Sequence, residues 1–284
     1  MTSKKITNHF VTAATARRYA RSRHYHHPLA IDKVRRFLKR TKPVTLALDV
    51  GCGTGMSAVA LKTISARVVA VDPSAAMLAQ APRADRLHYV TARAEALPFA
   101  GSSFDLVTVS SAFHWFDRPL FLAEAARVLA PRGWLVIYNS GFRARMRENP
   151  AFEKAFRAAY PKRFPAPIKH WEPLSKTDAR PHGLDFRHTE HFESPVSLTP
   201  TMLVNGLVTH SNVIAAVEER GESLRAVRKW IFGLVRPLFS GPRGTFSFRG
   251  AIWFVQKTGP SKRSLRRQKK LNKPGAAVRK RKSK

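Results

Sequence analysis

The 284-residue chain carries 51 lysines and arginines against 18 aspartates and glutamates, a formal net charge of +33, with 44% apolar residues and one cysteine. That apolar fraction supports a core for one good-sized domain with a smaller attachment, or for two small domains. A single thiol, Cys52, excludes an intrachain disulfide and a thiolate metal cluster, and fits a reducing, cytoplasmic setting.

No run approaches the ~18 apolar residues of a membrane span, and "MTSKKITNHF" leads into no apolar stretch of the kind a secretory signal needs. Thirteen basic residues lie from Lys257 onward, which leaves +20 on the preceding 256 residues. The positive excess therefore belongs to the body as well as to the tail, and attracts polyanions and acidic small molecules alike.

In chain order, residues 1–40 form a basic, partly helical segment, "AATARRYARSRHYHHP" in front of "LAIDKVRRFLKR". Residues 41–140 then alternate short apolar runs with helical patterns. "VTLALDV", "ARVVAVD", "LHYVTA", "FDLVTVS" and "GWLVIYN" read as strands. Before the fifth strand comes a clear helix: Asp117 is its N-cap, Pro119 suits its first turn, and Leu120, Ala125, Val128 and Leu129 recur at helical spacing. Continuous apolar strands separated by helices predict an α/β fold, a mostly parallel sheet with helices on both faces.

The pattern then changes. Residues 141–198 are rich in proline, histidine and aromatics, with a helix expected near 148–160. A helix from Thr199 to Gly221, interrupted near His210, and another with Leu224, Val227, Ile231 and Leu234 on one side make 141–245 an added helical cap. Residues 246–257 return as a strand of the sheet, so the cap sits over its carboxyl edge, where open α/β sheets bind ligands. Residues 258–284, dense in like charge and poor in apolar groups, are expected to be a disordered basic tail.

"LALDVGCGTG" ends a strand at Asp49 and places Gly51, Gly53 and Gly55 in the turn that follows. Glycines there allow a tight turn and a close approach of backbone to ligand. No lysine follows Gly55, so this is no P-loop, and Met56 stands where a dinucleotide fingerprint needs its third glycine. The second strand ends at Asp72, whose carboxylate can accept both hydroxyls of a ribose. A nucleoside without a pyrophosphate fits these features best, with Ala94 and Glu95 after the third strand bordering its base.

The run from Leu46 to Tyr138 resembles the core of the class I S-adenosylmethionine-dependent methyltransferases, through "LDVGCGTG", "VVAVDPSAAML", "ARAEALPFAGSSFDLVTVSSAFHWFD" and "ARVLAPRGWLVI". The resemblance implies a Rossmann-like sheet and S-adenosylmethionine as cofactor. Gly51, Gly53 and Gly55 would wrap its methionine part, Asp72 its ribose, and Ala94 and Glu95 its adenine. Ser110 joins this cofactor set. Asp49 either meets the cofactor amino group or organises the loop. "AFHWFD", with weaker matches in "ATARRYARSRHYHHP" and "THSNV", resembles the small-molecule subgroup that includes the trans-aconitate enzymes. The chain departs from many relatives at Arg93, where they carry aspartate, and at Arg132, where they carry glycine.

The resemblance implies in-line methyl transfer to an oxygen, or another nucleophile, of a small molecule, and the positive charge of the body suits an acidic one. His114, just beyond the fourth strand, either serves the substrate as acid or base or packs between Phe113 and Trp115. Trp115 and Phe116 wall the substrate pocket or fill the core. Arg143 and Arg145 hold an acidic substrate. Tyr19 and Tyr25 either close over the cofactor or lie in core or surface. The histidines at 24, 26 and 27 lack helical metal spacing and carboxylate partners, so no metal is expected. The competing reading is an RNA methyltransferase that uses the basic body and tail for backbone contact, against which stands the lack of any nucleic-acid-binding module. Nonspecific nucleic-acid contact through the tail, no membrane association, and a monomer or homodimer complete the expectations.

Overall fold

The computed structural model describes residue 10 and residues 12–22, 26–165 and 172–259. Its helices are α1 Ala13–Ser22, α2 His27–Leu38, α3 Met56–Leu61, α4 Ala75–Leu78, α5 Arg118–Val128, α6 Ala151–Arg163, α7 Lys176–Ala179, α8 Pro200–Leu207, α9 Ser211–Glu218 and α10 Leu224–Val235. The strands are β1 Val44–Val50, β2 Ser65–Asp72, β3 Leu87–Thr91, β4 Phe104–Ser110, β5 Leu129–Met146, β6 Leu184–Leu198 and β7 Gly244–Lys257. They form one sheet in the order β3-β2-β1-β4-β5-β7-β6. The first five strands run parallel, and β7 lies antiparallel between β5 and β6. The α/β architecture expected from the alternating pattern is the one observed.

Strand alternation sorts the apolar residues to two faces. Leu48 and Val50 of β1 pack with Val107 and Val109 of β4 and with Phe121, Ala125 and Val128 of α5. Ala47 faces the other way, with Val68 and Ala70 of β2, Ile31 and Val34 of α2, Leu61 of α3 and Phe254 of β7. A third apolar cluster joins Phe152, Phe156 and Tyr160 of α6 to Leu203 and Val204 of α8, Ile231 of α10 and Phe246 of β7. It is the core of the cap.

Asp117 caps α5 as expected, its carboxylate accepting the Leu120 N–H at 3.2 Å. The buried stripe differs from the expected one. Phe121, Ala125 and Val128, at i, i+4 and i+7, face the sheet, whereas Leu120 is 55% exposed and Leu129 already begins β5. The break near His210 is observed: α8 ends at Leu207 and α9 begins at Ser211. Arg132 adopts a φ of 64°, the left-handed turn position that glycine would occupy without strain.

Two elements lie where none was anticipated. β5 continues past Asn139 to Met146, with a register shift between Phe142 and Met146 and a φ of 56° at Ala144. β6 occupies residues 184–198, inside the segment expected to be helical cap, and pairs with β7 along its length. Its only buried residues are Leu184, Phe192 and Leu198, because an outer strand needs little apolar surface. The long β5, β6 and β7 carry the sheet beyond its carboxyl edge and give the cap its floor.

Phe254 is fully buried, its ring centroid 3.8 Å from that of Phe37 in α2. Truncation there removes one of the contacts between the sheet and α2. Phe254→Ala is expected to cost about 3–5 kcal/mol, read as a lower denaturant midpoint with an unchanged slope.

Candidate functional site

The order of the sheet reverses between β1 and β4, so the connections that leave these two parallel strands run in opposite directions and open a crevice at the carboxyl ends. The glycine loop leaves β1 into that crevice. Gly51 has φ 70°, and a Cβ there would come within 2.6 Å of the Ala112 Cβ. The Asp72 carboxylate, at the end of β2, fixes the loop: Oδ2 accepts the Gly53 N–H at 2.8 Å and Oδ1 accepts the Ser74 N–H at 2.9 Å. Burial raises its pKa against the pull of those two donors.

Asp49 is fully buried behind the loop, where it accepts hydrogen bonds from the Ser57 hydroxyl at 2.5 Å and the Thr108 hydroxyl at 2.8 Å. Desolvation pushes its pKa up to about 6, against those two hydroxyls, which lower it. Asp49 does not line the cavity; its two hydrogen bonds join α3 to β4 behind the loop. Burial, with the charges of Asp49 and Asp72 nearby, pushes the Cys52 thiol up, so Cys52 is no nucleophile near neutral pH.

A cavity of about 270 Å³ fills the crevice. Gly51, Gly53, Asp72, Ala94, Glu95 and Ser110 line it, together with Trp115 and Phe116. Gly55 does not. It caps α3 at φ 76°, where an added Cβ would strike the Tyr89 hydroxyl, so its reason is backbone shape. Arg93 lines the cavity as well, next to Glu95, whose carboxylate lies 3.4 Å from its Nε and accepts the Asp117 N–H at 3.0 Å.

A second cavity of about 850 Å³ adjoins the first, between the cap helices and the extended ends of β5 and β7. His114, Trp115 and Arg143 line it. Two expectations are corrected. Phe116 is 7% exposed and packs on Phe121 at 4.9 Å beneath Gly51, so it belongs to the first cavity and the core, not to a substrate wall. Arg145 lines neither cavity: regular alternation would put it on the same face as Arg143, but the strand is irregular between them, with Ala144 at a φ of 56°, and Arg145 pairs with Glu153 at 3.0 Å. His114 lines the second cavity and not the first, with its ring tilted against Trp115 at 5.0 Å. It is thus set back from the first cavity.

Sequence reasoning missed the contribution of the N-terminal segment except for Tyr19, which lines both cavities. Phe10 and His26 do the same. The Phe10 carbonyl accepts the Ser74 hydroxyl at 2.6 Å, and its ring stands edge-on to Tyr19 at 5.5 Å and to Trp115 at 6.3 Å. His27 lines the first cavity; its Nδ1 lies 3.1 Å from the Tyr138 hydroxyl and 3.3 Å from that of Ser110. The histidine-rich spacing was the available signal, read for metals and passed over for anything else. Tyr25 and His24 lie outside the described residues, as do residues 260–284 of the tail. Among the described residues, no cluster of three metal-ligating side chains occurs, and no helix is long and apolar enough to cross a membrane.

Asp49 makes the fold sensitive to pH. Its folded pKa of about 6 exceeds the ordinary 3.8. The protonated carboxyl therefore favours the folded state, a contribution fully present below about pH 4 and lost as pH rises through about 6. At neutral pH the buried charge costs about 3 kcal/mol. In calorimetric melts at about pH 5 and about pH 7.5, Asp49→Asn is expected to gain on the wild type at the higher pH; parallel curves would contradict the assignment.

Residues 48–137 match the family model of a methyltransferase domain. A Dictyostelium discoideum protein bearing a methyltransferase name is 29% identical over 166 residues, 57% of this chain and 61% of that one. The malonyl-[acyl-carrier protein] O-methyltransferase of Alcanivorax borkumensis is 38% identical over 129 residues, 42% of this chain and 44% of that enzyme. The chain thus spans less than two thirds of the length of either relative. In fold, a solved chain from Anaeromyxobacter dehalogenans is similar with a TM-score of 0.59 at 24% identity, over 81% of this chain and 97% of that one. The matched segment opens at Leu48, in the strand that feeds the glycine loop, closes at Ile137 in β5, and so holds every residue by which the sheet side walls the first cavity. Residues 48–137 are thus a methyltransferase domain of the kind that uses S-adenosylmethionine, set in a sheet of the class I fold.

Proposed function

We propose that the protein moves a methyl group from S-adenosylmethionine to an oxygen, or another nucleophile, of a small anionic molecule. One observation carries this reading. The second cavity joins the first, and it presents Arg21, Arg143 and Arg249 while no aspartate or glutamate among the described residues lines it. Arg249 is drawn toward Glu193 at 3.6 Å. Arg143 and Arg21 are paired with no carboxylate among the described residues. An anion entering this space meets guanidinium groups suited to carboxylate or phosphate.

The first cavity fits the cofactor. Each Asp72 oxygen already accepts one backbone N–H and keeps a lone pair for a ribose hydroxyl. Gly51 and Gly53 let backbone approach the amino-acid part, and Ala94 and Glu95 border the base. When bound, the cofactor supplies a methyl group already activated by its sulfonium. The protein's part is alignment and exclusion of water, which Tyr19, Trp115 and Phe10 serve as walls and Arg143 serves as anchor.

Within the family, "AFHWFD" and the histidine-rich approach to α2 support a place beside the trans-aconitate-methyltransferase-like enzymes. The relative from Alcanivorax, an O-methyltransferase by name, supports an oxygen acceptor. The RNA alternative has net charge in its favour, whereas a walled second cavity favours a small molecule.

Calorimetric titration with S-adenosylmethionine and its demethylated product tests the cofactor side. Asp72→Ala is expected to weaken both by about 30- to 150-fold, at about 2–3 kcal/mol for hydrogen bonds to a charged group. On the substrate side, methyl uptake by a panel of carboxylic acids and phenols is expected to show KM raised about tenfold or more in Arg143→Ala. Arg145→Ala, which points away, leaves it unchanged. Equal effects from the two would remove the anchor role.

A further inference from the structure

The methyl carbon and the acceptor atom can meet only where the two cavities join. Five described residues line both: Phe10, Tyr19, His26, Ser111 and Trp115. Among these side chains, imidazole is the one whose ordinary titration range spans neutrality, which makes His26 the natural proton acceptor there. It is 6% exposed and sits immediately before α2, whose first turn is set by Pro28. Its ring lies 4.4 Å from that of His27, tilted by 32°. His27 is in turn placed by the Tyr138 and Ser110 hydroxyls at 3.1 and 3.3 Å. The imidazole at the junction therefore rests on a buried, hydrogen-bonded support. His27 of α2 and Tyr138 of β5 lie against its ring, and the two cavities it borders also hold Tyr19, Arg21, His114 and the carboxylates of Asp72 and Glu95.

We infer that His26 is the general base of methyl transfer, and that the acceptor atom accordingly carries a proton: a hydroxyl, phenol or amine on an anionic molecule, not a bare carboxylate. This rests on the methyl-transfer reading above. The acceptor's lone pair forms the new bond to the methyl carbon while the carbon–sulfur bond breaks, its electron pair neutralising the sulfonium to a thioether. The acceptor's proton passes to the His26 imidazole, which later gives it to solvent. Arg143 holds the anionic end; His27 is a positioning residue that keeps the His26 ring in place. A carboxylate acceptor would need no base, and His26 would then have no chemical task.

The test uses the full chain, S-adenosylmethionine labelled in its methyl group, and the small-molecule fraction of a cell extract as acceptor. Label in the product is expected to survive mild base, as an ether or amine does and a methyl ester does not. His26→Ala is expected to lower the transfer rate about 100-fold or more at saturating S-adenosylmethionine, a loss larger than any change in cofactor affinity or melting temperature accounts for. Added imidazole restores part of the rate, and the wild-type rise of rate with pH disappears in the variant; a merely structural role would give neither. His26→Gln, which keeps size and polarity, is expected to remain slow. Label released by base as methanol, or loss of rate in His114→Ala with none in His26→Ala, overturns the assignment and leaves methyl transfer standing. Cofactor binding with no transfer to any component overturns the methyl-transfer reading itself, and His26 as base falls with it.

Discussion

The Asp72 carboxylate ties the turn after β1 to the turn after β2, one oxygen on the Gly53 N–H and the other on the Ser74 N–H. The backbone already ties the start of the glycine loop to β2, the Gly51 and Cys52 N–H groups donating to the Val71 carbonyl at 2.8 and 3.0 Å, and Asp72 extends that tie to Gly53. Asp49 lies beneath the same loop and bonds to Ser57 in α3 and Thr108 in β4. Both acids are costly to bury, and burial raises the pKa of each. Unfavourable burial of two charges is thus concentrated where backbone shape decides whether a ligand can enter, a common location for stored strain and perturbed titration.

The N-terminal segment completes what the sheet begins. α1 is anchored on the cofactor side, where Ser74 bonds to the Phe10 carbonyl at the segment's start. On the cap side Thr15 donates to Glu218 of α9 at 2.5 Å, and Arg18 lies 3.6 Å from the same carboxylate. One helix therefore touches both halves of the site. A variant that loosens either anchor alters the wall of both cavities, so effects on ligands held in the two are coupled through it.

What the sequence made legible follows from physics that is local. The parallel strands read as unbroken apolar runs, and β1 and β4 were read at their observed bounds, because both faces of such strands are covered. Gly51, Gly53, Asp72, Ala94 and Glu95 stand out because a strand end and a tight turn fix them within a few residues. β6, "LDFRHTEHFESPVSL", is an outer strand whose polar residues and Pro195 carry no strand signal, and its place depends on pairing with β7. Arg143 and Arg145 look alike in sequence, and the path of β5 beyond Asn139 decides which one faces the cavity. Phe10 and His26 reach the site from the far N-terminal side, and no spacing rule links them to Trp115. Distance along the chain, more than weakness of the motif, separates the residues that were found from those that were not.

The distribution of acidic groups has a consequence for the whole molecule. All eighteen carboxylates lie in the described residues, and each already has a hydrogen-bond or charge partner: some cap helices, as Asp117 and Asp178 do, and others meet arginines or lysines, as Glu124, Glu153 and Glu190 do. With 51 basic residues in the chain, most cations have no internal counter-charge left to claim. Neutralisation must come from the solvent as a dense atmosphere of small anions, and mutual repulsion is relieved as that atmosphere thickens. Added salt, which weakens isolated surface ion pairs, therefore acts here in the opposite sense on the chain as a whole and makes it more robust.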